Sequence, residues 1–216
     1  MNKTYAVSDL HGYVNLYNQI KEFVSPGDTI YYLGDALDRG PQPWELAKII
    51  CDDEQFIYLK GNHEDMLVKA ALNYFGDEWD TENSYYDLLN NGGIQTWNDM
   101  INDEQNIKYV NKLKTLPKEK IYLNKEGKEI HLCHAGFTPG KKEDLLWGRA
   151  HMSDIVEEAD YVVVHGHTPT LHDDGLYPDF YANGYKINID MGTVMTKSCC
   201  LLDLDTFKYY IFKVKE

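Results

Sequence analysis

Four short groups of metal-ligand and acid-base residues recur along this sequence, each just after a run of β-formers. They are Asp9-Leu10-His11-Gly12, Gly34-Asp35-Ala36-Leu37-Asp38-Arg39-Gly40, Gly61-Asn62-His63-Glu64, and His134-Ala135-Gly136 followed by Gly166-His167-Thr168-Pro169. Asp9 and His11 are two apart, and on a chain that stays extended both can face one ion. Asp35 ends the next β run, where a carboxylate can bridge two cations. Asn62 offers a neutral amide oxygen, and His134 and His167 offer imidazoles. Mixed oxygen and nitrogen donors without a thiolate suit Mn, Fe or Zn better than Ca. Two ions about 3.5–4 Å apart would share Asp35 and a water and lower the pKa of that water, making hydroxide near neutral pH. His63, oriented by Asp38, could donate a proton to a leaving alkoxide. Arg39 forks well onto phosphate oxygens. The set points to metal-assisted hydrolysis of a phosphate ester.

Each residue also has a plainer role open to it. An Asp or His after a strand can cap the next helix or satisfy a turn. Arg149, after Leu145-Leu146-Trp147-Gly148, could be a surface salt-bridge residue. His131 reads as solvent-facing, and His151 and His172 as surface or loop residues. His165 competes with His167 as a ligand. His167 is preferred because Gly166 lets the backbone turn into the site beyond the strand. Glu64 reads as the start of a helix, where its charge suits the N-terminus.

The elements that must position these residues begin with a βαβαβ rhythm. Strands are predicted at Thr4–Ser8, Thr29–Leu33 and Phe56–Leu59, and helices at Val14–Val24, Trp44–Cys51 and Glu64–Phe75. That order implies parallel strands with right-handed crossovers and motifs at the carboxyl ends of the strands, where ligands bind in open α/β sheets. Residues from about 76 to 116 are polar, lack strand signal and hold Tyr85, Tyr86 and Trp97. They read as a small helical insertion, either a lid over the site or packing cover. The remainder is strand-rich, at Ile121–Leu123, Glu129–Cys133, Tyr161–His165, Lys186–Asp190, Ser198–Leu204 and Tyr209–Val214. A second, mostly antiparallel sheet packed on the first is expected.

Composition fits one globular domain spanning residues 1–216, with 43% hydrophobic and 26% charged residues. No apolar run reaches the roughly 20 residues of a membrane helix. No apolar signal region follows Met1, which points to a cytoplasmic protein. The cysteines, Cys51, Cys133, Cys199 and Cys200, form no CxxC pair and read as small buried thiols. A net charge of −14 argues against duplex nucleic acid as a partner. A phosphorylated substrate is still compatible, because bound dications invert the local charge. Its phosphate must then sit in one metal-centred cleft.

At these motifs the chain resembles the phosphoprotein-phosphatase branch of the calcineurin-like metallophosphoesterases. It looks most like the small bacterial and phage serine/threonine protein phosphatases of the lambda-phosphatase type. The likeness extends to Asn91-Gly92-Gly93, His134–Pro139, Leu146–Arg149 and Ile189-Asp190-Met191-Gly192, and Asp38-Arg39-Gly40 is particular to this branch. The wider superfamily carries Gly-His-x-His where this chain has Gly166-His167-Thr168-Pro169, which fits the protein-phosphatase branch and not the phosphodiesterases. The resemblance implies an α/β (α+β) β-sandwich flanked by helices. It places a first metal on Asp9, His11 and Asp35, and a second on Asp35, Asn62, His134 and His167. It gives Arg39 and Arg149 the phosphate and His63 with Asp38 the acid role. It implies two divalent ions, Mn first with Fe or Zn as alternatives, and direct hydrolysis without a phosphoenzyme. The implied substrate is a phosphorylated protein or peptide, or a phosphorylated small molecule. Symmetrical diadenosine-tetraphosphate hydrolases share nearly all these motifs and are the alternative. A catalytically silent binding module is disfavoured because no ligand or acid position is substituted.

Overall fold

The computed structural model describes residues 2–76, 84–138, 144–149, 159–172 and 175–215. Strand β1 (Thr4–Val7) is its centre. Tyr5 and Val7 point to a helix-covered face and Ala6 points the other way, as the two-residue period of a strand requires. β1 pairs in parallel with β2 (Thr29–Tyr32), which pairs in parallel with β3 (Phe56–Tyr58). Helices α1 (Val14–Phe23) and α2 (Pro43–Asp52) are the crossovers, and α3 (Asn62–Phe75) leaves β3. Pro43 opens α2 in its first turn, where a missing N–H costs nothing.

The last two strands correct the sequence-based expectation. β9 (Ser198–Asp203) and β10 (Tyr209–Lys213) belong to the first sheet, ordered β10-β9-β1-β2-β3, not to the second. All six β9 residues are buried, so this strand needs cover on both faces, and a place beside β1 provides it. Cys199 joins the helix-side core and Cys200 the core between the sheets.

The second sheet is mixed, not mostly antiparallel. Its strands are β4 (Glu119–Leu123), β5 (Glu129–Cys133), β6 (Tyr161–His165), β7 (Asp179–Tyr181) and β8 (Lys186–Asn188), ordered β4-β5-β6-β8-β7. The β4–β5 hairpin is antiparallel as expected, but β5, β6 and β8 run parallel. The near-continuous burial along β6 is what a parallel inner strand shows. β7 is only three residues long and directly follows Pro178, so it carries no usable period. Ala6, Cys200 and Leu202 from one sheet meet Ile130, Leu132, Val162, Val164 and Ile187 from the other. Each fully buried aliphatic side chain there is worth about 1.5–3 kcal/mol.

The polar stretch before β4 is helical, as predicted: α4 (Ser84–Asn90), α5 (Ile94–Ile101) and α6 (Asn106–Lys114). α4 packs on α3, α5 on α2, and α6 on both. Among the described residues no helix is long and apolar enough to cross a membrane.

Candidate active site

The loops that follow β1, β2 and β3 are stitched together at one edge of the sandwich. The β1 loop does not stay extended, the condition on which Asp9 and His11 would share a face by spacing alone: Asp9, His11 and Gly12 have φ of +56°, +42° and +72°. Its amides donate instead to the β2 loop, Asp9 to Gly34 O at 3.1 Å, His11 to Asp35 O at 3.0 Å and Gly12 to Ala36 O at 2.8 Å. Asp35, Asp38 and Arg39 also adopt positive φ, at +62°, +68° and +65°. Such conformations cost of order 1–3 kcal/mol each and persist only where the surroundings enforce them. Two glycines permit the crowding. A Cβ on Gly40 would lie 1.6 Å from His11 O, and one on Gly166 would lie 2.1 Å from Asp9 Oδ2.

Glu64 supplies the enforcement. Its Oε2 accepts the N–H groups of Asp35 and Gly61, each at 2.8 Å, and its Oε1 accepts Ala36 N–H at 2.9 Å and the Tyr58 hydroxyl at 2.8 Å. Glu64 does stand in the first turn of α3, and there it caps Gly61, but its larger contact is with the Asp35 loop. Nothing in its position in the sequence beyond the helix start distinguishes that role.

Asp35 is the hub of the side chains. Its Oδ1 accepts the His63 N–H of the α3 N-terminus at 3.1 Å. Its Oδ2 lies 3.8 Å from His11 Nε2, 3.7 Å from His63 Nε2 and 3.4 Å from His134 Nε2. Two triads result, His11–Asp35–His63 and Asp35–His134–His167, with ligand atoms in each within 4.8 Å of one another. Asn62 Oδ1 adjoins the second, 2.8 Å from His134 Nε2 and 3.0 Å from His167 Nδ1. Asp9 stands outside both triads, because its Oδ2 is held by the Ser8 hydroxyl and by His167 N–H at 3.1 Å.

Acceptors fix which ring nitrogen keeps its hydrogen when the other is free. His11 Nδ1 donates to Leu37 O at 2.7 Å, His134 Nδ1 to Leu33 O at 2.9 Å, and His63 Nδ1 to Asp38 Oδ2 at 2.6 Å. Carbonyl and carboxylate oxygens only accept, so each Nδ1 carries hydrogen and each Nε2 faces Asp35. Histidines that donate from one nitrogen to oxygen and present the other to a common centre have the outer-shell arrangement of metal ligands. Among the described residues, buried His63 Nε2 finds no hydrogen-bond partner. The donor set therefore fits divalent cations shared through Asp35.

The electrostatics agree with a site built for positive charge. Burial would lift the Asp35 carboxyl, but the His134, His63 and His11 rings outweigh it and hold the group well below the usual carboxylate range. Burial lowers His134, yet Asp35, Asp9 and Glu64 together push it up to about 10. Burial pushes His11 down to about 3 and, helped by the His134 charge, His167 to about 4. Burial raises Asp9 to about 6 and, with Asp9 beside it, raises Asp190 well above normal. His63 is raised because Asp35 and Asp38 outweigh its burial.

The arginines flank the cluster. Arg39 Nη1 is 3.5 Å from His11 Nε2, and Arg39 Nε donates to Asn91 O at 3.3 Å. The Arg149 charge acts on His167, and Trp147 sets its ring edge-on to His167 with centroids 6.2 Å apart. Of the other histidines, His165 turns away, bonding Tyr181 Oη at 2.5 Å and Gly166 O at 3.0 Å. His131 is half-buried between Glu119 and Glu129, not solvent-facing. His172 stacks on Tyr177, and His151 lies outside the described residues.

Three solved structures share the architecture. A candidate diadenosine tetraphosphatase superposes with a TM-score of 0.59 at 16% identity, over 98% of this chain and 93% of that one. A protein serine/threonine phosphatase from Saccharomyces cerevisiae gives 0.59 at 15% identity, over 100% and 81%. The cold-active protein-tyrosine phosphatase of a psychrophilic Shewanella gives 0.61 at 17%, over 98% and 77%. These similarities establish the fold. The calcineurin-like phosphoesterase family model matches residues 3–189, and the chain belongs to that family.

Proposed function

We propose that this protein is a metal-dependent phosphomonoesterase of the protein-phosphatase branch, acting on phosphoserine or phosphothreonine in proteins or peptides. The observation that carries the reading is Asp35, set between His11 on one side and His134 with His167 on the other, with the Asp38–His63 pair beside it as the acid and Arg39 and Arg149 near the cluster. Asp35, His11, Asn62, His134 and His167 would hold two divalent ions, Asp9 completing the set by moving its carboxylate off Ser8. Cations bound there would supply Lewis acidity toward the phosphoryl group and an activated water. Arg39 and Arg149 would grip the phosphoryl oxygens in ground and transition states alike. As water adds to phosphorus and the ester P–O bond breaks, His63 Nε2 would pass its proton to the leaving oxygen, Asp38 holding the ring through Nδ1.

The substrate preference follows from scarce cations. Arg39 and Arg149 are the only arginines in a chain of net charge −14, so recognition should centre on one phosphoryl group. A second reading has one observation of its own. Ala70, Asn73, Tyr74, Tyr85 and Trp97 line an open cleft of about 450 Å³ in which a nucleobase could stack. That would suit a symmetrical diadenosine tetraphosphatase. The test is a comparison of kcat/KM on Mn-loaded protein for phosphoserine, phosphothreonine and phosphotyrosine peptides and diadenosine tetraphosphate. Faster cleavage of a phosphoserine or phosphothreonine peptide is expected. Faster dinucleotide cleavage with ADP as sole product, or faster phosphotyrosine cleavage, would overturn the preference.

A further inference from the structure

Helix α5 reaches the acid pair with a single side chain. Thr96 is fully buried, at 0% exposure, and its hydroxyl donates to Asp38 Oδ1 in a short hydrogen bond. Thr96 Oγ1 in turn accepts Asp38 N–H at 3.1 Å. One hydroxyl thus closes on both the backbone and the carboxylate of a residue whose φ is +68°. Among the described residues, Thr96 and His63 are the donors found on this carboxylate, one on each oxygen. A hydroxyl has one proton, and here it goes to Oδ1. Oδ2 is left aimed at His63 Nδ1, and rotation of the carboxylate would break both contacts together.

The residues before α5 hold the neighbouring position. Gly92 O accepts Arg39 N–H at 3.3 Å, and a Cβ on Gly92 would stand 3.1 Å from Arg39 Cγ. The loop at 91–93 and the first turn of α5 therefore fix two consecutive residues of the β2 loop, both in the left-handed region.

We propose that Thr96 is a positioning residue for the general acid. Its hydroxyl locks the Asp38 carboxylate, which in turn keeps His63 with hydrogen on Nδ1 and Nε2 turned toward the departing oxygen. The inference rests on the general-acid role of His63 proposed above. The hydrogen bond needs only the hydroxyl, so serine should serve and valine, its near-isostere, should not.

The test compares Thr96→Val, Thr96→Ser and His63→Asn on two substrates: a phosphoserine peptide, whose alkoxide must be protonated to leave, and para-nitrophenyl phosphate, whose phenolate need not be. A positioned acid contributes about 10²–10⁴-fold. Thr96→Val should lose about 10–100-fold in kcat on the peptide and under about threefold on para-nitrophenyl phosphate, with metal content as in wild type. Thr96→Ser should restore both rates. If Thr96→Val does not fold, Thr96→Ala removes the hydroxyl without pressing a methyl on the carboxylate, and the same ratio is read. Equal losses on both substrates, or no rescue by serine, would overturn the role of Thr96 while His63→Asn still discriminates between them. If His63→Asn itself lowers both rates equally, the general-acid reading falls and takes this inference with it.

Discussion

Replacing Glu64 with glutamine should loosen the site from beneath without touching a proposed ligand. The carboxylate takes four donors, two on each oxygen, and three of them are backbone amides. An amide side chain has one oxygen and one NH2 group. If the NH2 replaces Oε2, it confronts two N–H groups, those of Asp35 and Gly61. If it replaces Oε1, the Tyr58 hydroxyl can turn to accept, but Ala36 N–H cannot. At least one buried amide is orphaned either way, at about 1–3 kcal/mol, and hydrogen bonds worth about 1.5–3 kcal/mol each lose their charge assistance. Burial, and after it repulsion from Asp35, raises the Glu64 carboxyl, and relief of both in the neutral amide offsets part of this. A net loss of about 2–4 kcal/mol is expected, a substantial share of a typical 5–15. For a chain of this size that is a fall of about 5–15 °C in Tm. Urea and thermal unfolding in chelator would measure it. Tyr58→Phe removes only one donor and should cost about 1 kcal/mol, and less in the Glu64→Gln background than alone. A Glu64→Gln loss below about 1 kcal/mol, or full additivity of the two changes, would refute the clamp.

Other outcomes can be checked directly. Because Asp35, Asp9 and Glu64 push His134 up to about 10, a cation must displace its proton, so Mn affinity should climb about tenfold per pH unit from pH 7 to 9 with release of about one proton. Calorimetry in buffers of different ionisation enthalpy would count the proton, and a flat affinity would mean that His134 starts neutral. Asp35→Asn weakens the one side chain common to both triads, so elemental analysis after Mn reloading should find both sites depleted; one fully retained equivalent would rule out sharing. Arg149→Ala should raise KM and weaken inhibition by free phosphate about 10–100-fold, read from steady-state kinetics.

What could be read from the sequence was the set of side chains that meet at Asp35, because ligand-type residues placed at strand ends need no knowledge of packing. Their grouping needed more. A two-residue spacing puts Asp9 and His11 on one face only of an extended chain, whereas the amide bonds from the β1 loop to the β2 loop coil it, and those bonds join residues about 25 apart. The placement of β9 failed for a related reason. A strand buried on both faces looks the same in sequence whether it ends one sheet or completes another, and the long connection back to β1 is silent about the choice. The hairpin β4–β5 was legible because its turn is local.

Glu64 and Thr96 mark the deeper limit. Neither has a residue type that implies its role, since a glutamate at a helix start and a threonine on a helix are ordinary. Each matters through one contact with a distant loop, Glu64 with Asp35 and Thr96 with Asp38. The β2 loop carries Asp35, Asp38 and Arg39 at positive φ, conformations that need outside support, and α3 and α5 provide it from two directions. Contacts from α3 and from α5 with the residues before it thus meet on one loop at the carboxyl end of β2. The helical segment from 84 to 114 does more than pack: Thr96, in the first turn of α5, bonds Asp38, and the Asn91 and Gly92 carbonyls bond Arg39.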